Sequence, residues 1–175
     1  MGPIEVEAQL SIPPPPAALK RVSAQPLPAY RFVPGRHPHP TRNPDGHGLE
    51  RVAELDEREA WLYGLDLFNT RYFWEAHEAW EKVWRAAPNG SRGREVVKGL
   101  IQIAAALLKL HLGNETAARS LAERGVRRIE EAAEQHGVWQ GLGLHTVART
   151  ARERIVDAPA PLVLERAVFE LELER

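Results

Sequence analysis

The sequence predicts an all-α fold, a compact antiparallel bundle of about five helices with an extended Pro-rich N-terminal arm. Three observations carry this. Of 14 prolines, 11 stand at or before Pro44, which keeps regular helix and central strand out of the first quarter of the 175-residue chain. From Leu49 to about Ile155, apolar residues recur at helical spacing. Hydrophobic residues make up 43% and charged residues 27%, enough for one packed core without staples at this length. The expected division is an arm with a His-containing loop over 1–48, a helical bundle over 49–157 and a tail over 158–175.

Along the arm, Met1 to Glu7 has no basic region and no following apolar run, so no secretory signal is expected. Gly2 lacks the hydroxyl that myristoylation would want at position 6, where Val6 stands. Pro13 to Pro16 predicts a short polyproline II rod, read as a spacer or as an arm lying on the body. Tyr30 to Val33 reads as one short strand closed by Pro34-Gly35, followed by an irregular loop from Arg36 to Gly48.

The first helix, Leu55 to Thr70, places Trp61, Leu62, Leu65 and Phe68 on a core stripe. The second runs from about Tyr72 to Ala87 and is stopped by Pro88-Asn89-Gly90. The third begins near Ser91 or Arg94 and ends at Gly113. It is apolar on nearly every side and is therefore the buried central helix. Asn114 is a good N-cap for the fourth, Glu115 to about Gln135, whose Ala118, Ala122 and Gly125 permit a close crossing. The fifth runs from about Leu144 to Val156, before Pro159 and Pro161. In the tail, Phe169, Leu171 and Leu173 alternate with glutamates, which argues for a strand, while the composition suits a short helix. A two-stranded ribbon joining this tail to Tyr30–Val33 is the expected pairing.

Composition narrows function. There is no cysteine, which removes disulfide scaffolds, zinc fingers, iron–sulfur sites and thiol catalysis and suits a reducing, cytoplasmic setting. Lys plus Arg (23) nearly cancels Asp plus Glu (24), so no net field draws nucleic acid or anionic lipid. The most apolar stretch, Gly99 to Leu108, is too short to span a bilayer. Pro88 to Gly93 lacks the Gly-Lys-Ser/Thr ending of a phosphate loop.

The second helix holds the unusual residues. At about 100° per residue, Phe73, Ala76, Trp80 and Trp84 share a face, and His77 and Glu81 sit at its edge. Glu78 lies further round. Glu75 is nearly opposite and is expected to meet solvent or another element. His77-Glu78-Ala79-Trp80-Glu81 compares with the zinc-protease H-E-x-x-H, but Glu81 replaces the second histidine. A divalent metal on His77 and Glu81 would need a further ligand from His37, His39 or His47 in the loop. The alternative for those histidines is turn hydrogen bonding in a proline-rich loop, which spacing without a partner motif favours. Di-iron bundles need Glu-x-x-His on two helices, and Glu75-Ala76-His77 has the wrong spacing. Gln102 is the polar residue inside the central helix, and its amide must find partners. Lys98, Gln102 and Lys109 form a stripe that either meets the His77–Glu81 edge in a buried network or faces solvent. The flanking sequence favours burial.

These residues carry a family resemblance. Phe68-Asn69, the run from Tyr72 to Trp84, Gly99-Leu100-Ile101-Gln102-Ile103-Ala104-Ala105-Ala106 and Gly113-Asn114 resemble the domain-of-unknown-function-309 family over roughly Leu55 to Ile129. The resemblance implies a small all-helical bacterial or archaeal domain whose signature residues come from two facing helices, and it implies no reaction. The signature positions fall on Tyr72, Glu75, His77, Glu78, Trp80, Glu81, Trp84 and Gln102. Members often carry histidine near the end of the second signature helix, where this chain has Lys109 and His111. The loop from Pro34 to Pro40 resembles an extension of longer members.

Three functions fit. The first is a binding module for a small molecule or protein, with the polar Glu/His/Gln/Trp network organising a surface or a homodimer. The second is a metal-dependent hydrolase at the same site. The third is an RNA or phosphate-ligand binder through Arg119, Arg124, Arg127, Arg128, Arg149, Arg152 and Arg154. Against the third, Glu123, Glu130, Glu131 and Glu153 offer salt-bridge partners at helical spacing.

Overall fold

The computed structural model describes residues 14–17 and 19–175. The leader reading of Met1 to Glu7 and the Pro13 end of the proline rod lie outside the described residues. Two short 3-10 helices, Pro40–Arg42 and Leu49–Glu54, precede the bundle. Helix α1 is Glu57–Asn69. Asp56 accepts the Glu59 N–H at 2.8 Å, and Glu59 reaches back to the Asp56 N–H, a reciprocal cap that fixes where the helix starts. Helix α2 is Phe73–Ala86, and α3 is Arg92–His111, capped by Ser91 Oγ on the Arg94 N–H. Helix α4 is Glu115–Gln135, with Asn114 Oδ1 accepting from the Ala117 N–H at 3.0 Å as expected. Helix α5, Leu144–Ala151, continues as a π turn, Arg152–Val156, and α6 is the four-residue Leu164–Ala167.

Consecutive helices pack on one another, with the most extensive contact between α3 and α4. Along α3, residues such as Val96, Leu100, Ile103 and Leu107 have no exposed surface, which makes it the central helix. The close crossing has a backbone cause. A Cβ on Gly99 would stand 2.8 Å from the Gly125 carbonyl, and one on Gly125 would stand 2.6 Å from the Gly99 carbonyl. No helix among the described residues is long and apolar enough to cross a membrane.

The expected ribbon is not formed as drawn from the sequence. The two-stranded antiparallel sheet is a hairpin, Val138–Trp139 (β1) with Leu142–Gly143 (β2), turned by Gln140 and Gly141 at φ 49° and 82°. The tail reaches this hairpin through a bridge between Leu142 and Leu173, whereas Tyr30–Val33 docks on α2. The reason is that another partner satisfies the tail's backbone. Asn69 Nδ2 donates to the Leu171 carbonyl at 2.9 Å, and Asn69 Oδ1 accepts the Leu171 N–H at 2.7 Å. A side-chain amide thus does what a neighbouring strand would do. The alternation itself holds, since Phe169 and Leu171 are buried and Glu172 is exposed.

Candidate functional site: the two faces of helix α2

Seven of the eight expected site residues stand on α2 or at its N-cap, Tyr72. They do not converge on one point. Buried positions on α2 run from Phe73, Ala76, Trp80 and Val83 through Ala79 round to Glu75, and the half-exposed remainder carries His77, Glu78 and Glu81.

Glu75 meets another element and not solvent: it is fully buried beneath the arm. Its Oε2 accepts the Phe32 N–H at 3.0 Å and lies 3.5 Å from His47 Nε2, which is also fully buried. His47 Nε2 is 2.8 Å from the Tyr30 carbonyl, an oxygen that only accepts, so the ring proton belongs on that nitrogen. His47 Nδ1 is buried without a hydrogen-bond partner. The rings of Tyr30, Phe32 and Trp74 close around this pair.

Glu75 is one of a row of anchors. Asp66, buried in α1, accepts the Val22 and Ser23 N–H groups at 2.9 Å each and Arg21 Nε at 3.2 Å. Tyr63 Oη donates to the Pro26 carbonyl at 2.8 Å, and burial pushes its hydroxyl from 10.0 up to about 12. Tyr72 Oη donates to the Pro28 carbonyl, and its ring lies under the Arg31 guanidinium at 4.6 Å. Arg31 itself donates to the Thr70 carbonyl. On the tail side, Arg71 donates to the Phe169 carbonyl and pairs with Glu170 at 2.6 Å, from a backbone at φ 71°. The connection between α1 and α2 is therefore where both ends of the described chain are pinned. Asp66 and Arg71 carry no expectation from sequence, and Asn69 enters there only through the family resemblance. An acid inside an apolar stripe, Asp66 between Leu65 and Leu67, was the available signal.

His77 stands between two carboxylates, with Nδ1 3.2 Å from Glu78 and Nε2 3.4 Å from Glu81. Glu81 also accepts from Arg85 at 2.9 Å, and Lys82 donates to the Val52 and Ala53 carbonyls. A concavity of about 600 Å³ opens between the Leu49–Glu54 turn and α2, with Leu49 and Val52 on one side and Glu78, Glu81, Lys82 and Arg85 on the other. A second of about 340 Å³ adjoins it at Glu78, lined also by Trp74, His39 and Glu50. Backbone N–H groups at Glu50 and Gly48 hold the Glu50 carboxyl below its ordinary range.

Trp80 is core, its Nε1 donating to the Trp61 carbonyl at 3.3 Å. Trp84 lies between Arg94 and Lys98, at 4.0 and 4.9 Å from its ring centre. Gln102 is buried, as expected, but its Oε1 accepts from Arg128 of α4 at 3.1 Å, and Arg128 also holds Glu95. The stripe divides because Lys98 and Gln102 differ by about 40° round the helix, so one meets α2 and the other α4. The loop histidines make local bonds: His37 Nδ1 accepts the Val33 N–H, and His39 Nδ1 contacts Thr41. Among the described residues, no three His, Asp or Glu side chains stand together to hold a metal. His111 lines a small hollow with Tyr72 and His37. Among the arginines, Arg119 donates to the Ile155, Val156 and Ala158 carbonyls, while Arg127 and Arg152 pair with Glu123 and Glu130.

Fold and polar network define an all-α domain whose helix α2 separates a buried, arm-holding face from an open one of mixed charge. Residues 61–121 match the family described as Domain of unknown function (DUF309), a span that includes all eight signature positions and excludes the arm and the tail. No curated protein matches the chain.

Proposed function

We propose that the protein is a helical binding module, with the open face of α2 as its recognition surface and the buried face as its scaffold. The observation that carries this is the division of the carboxylates. Glu75 is saturated by the arm, whereas Glu78 and Glu81 border a concavity with an apolar side at Leu49 and Val52. Lys82 is held by the Val52 and Ala53 carbonyls and Arg85 pairs with Glu81, so Glu78 beside the apolar wall suits a segment that presents basic and aliphatic side chains together. A hexapeptide of alternating lysine and leucine is a direct probe. Calorimetry on the full chain should give saturable binding, which Glu78→Gln with Glu81→Gln abolishes while the melting temperature stays put. No saturation in the wild type, or equal binding by the double variant, would remove this reading.

The metal-dependent reading rests on His77 being flanked by Glu78 and Glu81. Elemental analysis of protein purified without added metal or chelator tests it. About one equivalent of metal per chain, lost in Glu81→Ala, would favour an enzyme. A metal-free protein that ignores chelators would end it. A homodimer, expected from the arm and the tail, would scatter light as twice the chain mass.

A further inference from the structure

The smaller concavity at Glu78, of about 340 Å³, is built from two parts of the chain. Trp74 and Glu78 come from α2, while His39, Pro40, Leu49 and Glu50 come from the segment ahead of α1. The matched residues 61–121 contain the first pair only, so this wall is made by the arm as much as by the family domain. We propose that the concavity binds a small quaternary ammonium compound, its charge met by the two carboxylates and its methyl groups by the rings and aliphatic side chains. The lining holds two acids and no Lys or Arg. Among the described residues, neither acid pairs with a Lys or Arg, and Glu78 meets His77 at 3.2 Å. Lys82, one turn on from Glu78, is held by the Val52 and Ala53 carbonyls, and Arg85 is held by Glu81. Glu50 is fixed as an anion: its Oε2 accepts the Gly48 N–H at 2.8 Å, and the N–H groups of Glu50 and Gly48 keep its carboxyl below the ordinary range.

The aromatic side is set before any ligand arrives. Trp74 is half-buried, and its indole is fixed by Phe32, with ring centres 4.7 Å apart, and by His39, at 5.7 Å. His39 is tied into its own turn, with Nδ1 accepting the Thr41 N–H at 3.3 Å. A ring nitrogen that accepts carries no proton, so His39 brings aromatic surface without positive charge. Leu49 is buried and Pro40 half-buried, which adds aliphatic surface. Charge complementarity selects a cation for this lining and repels an anion. Among cations, aromatic and aliphatic walls suit one whose charge is spread over methyl groups. A primary ammonium would bring N–H groups that these walls cannot accept. The volume fits a small molecule of this kind.

Choline is the probe, read on the indole N–H resonances of the full chain at constant ionic strength, with Trp74 assigned from the Trp74→Phe variant. Ethanolamine, which lacks the methyl groups, and dimethylbutanol, the uncharged carbon analogue, are the comparison compounds. Choline should move the Trp74 signal saturably and leave those of the core residues Trp61 and Trp80 in place. Glu50→Gln and Glu78→Gln should each weaken binding about threefold and together about tenfold, the loss expected for partly exposed ion pairs. Glu81→Gln, which lies outside this concavity, should leave the affinity unchanged. A Trp74 signal that stays still up to about 10 mM choline, near the weakest specific affinities, would overturn the inference. So would equal affinity for either comparison compound, or undiminished affinity in the variant lacking both carboxylates. The outcome is separable from that of the peptide test, because Trp74 and Glu50 do not line the larger concavity, so Glu50→Gln should leave peptide binding intact.

Discussion

Tyr63 and Gly64 are neighbours in α1 that do opposite jobs, one polar and one by absence. The Tyr63 hydroxyl must stay protonated to donate to the Pro26 carbonyl, and burial raises it from 10.0 to about 12. Because the folded value lies above the unfolded one, its contribution is intact below pH 10.0 and is lost as pH rises towards about 12. Urea unfolding across that window should therefore show a steeper loss of stability for the wild type than for Tyr63→Phe. Parallel curves would mean that the phenol ionises freely. At Gly64, an added Cβ would fall 2.1 Å from Trp80 Nε1, inside a ring with no exposed surface. Gly64→Ala is expected to destabilise the fold by about 3 kcal/mol, by forcing α1 and α2 apart, and chemical denaturation would measure it.

Helix α2 and its connection to α1 show how one element serves both architecture and recognition. Removing Asp66 leaves the Val22 and Ser23 N–H groups without their acceptor, and removing Glu75 does the same to Phe32. Each of Asp66→Ala and Glu75→Ala should cost about 1–3 kcal/mol. Each should also make the chain between Val22 and His47 the first site of limited proteolysis, ahead of any cut in α3. Cleavage that begins elsewhere would show that the arm is held by its apolar contacts instead. Glu78→Gln is the contrasting case, since its side chain faces His77 and the concavity. It should leave stability within about 0.5 kcal/mol of the wild type. These anchors were hard to read from sequence. A helical wheel shows that Glu75 lies off the apolar stripe, but it cannot show that a segment 43 residues away will cover it.

At the scale of the whole molecule, the arm and the tail return to the same connection from opposite ends of the chain. Asn69 holds Leu171 across 102 residues, and Arg71 holds Phe169 across 98. Asn69→Ala should orphan both backbone groups of Leu171 in a buried setting, at about 2 kcal/mol, whereas Asn69→Asp should restore the acceptor alone. Hydrogen exchange at the Leu171 amide is the direct readout. Fast exchange in Asn69→Ala with unchanged protection in α3 is the expected pattern. Uniform loss of protection would mean that the tail and the bundle unfold together.

Helix order, caps and the central position of α3 follow from local chemistry. Asn114 needs only the N–H three residues on, and the apolar excess of residues 96–110 leaves nowhere else to put them. The sequence by itself therefore determined the five main helices and the core they enclose. Tertiary structure decided what the signature positions do. It sent Glu75 under the arm and Gln102 to Arg128, left His77, Glu78 and Glu81 on the open side, and paired the tail with Asn69 and β2 in place of Tyr30–Val33. The physical reason is range. A helix and its cap are set by residues three or four apart, but a buried carboxylate or an unpaired backbone amide takes whichever partner the folded chain delivers.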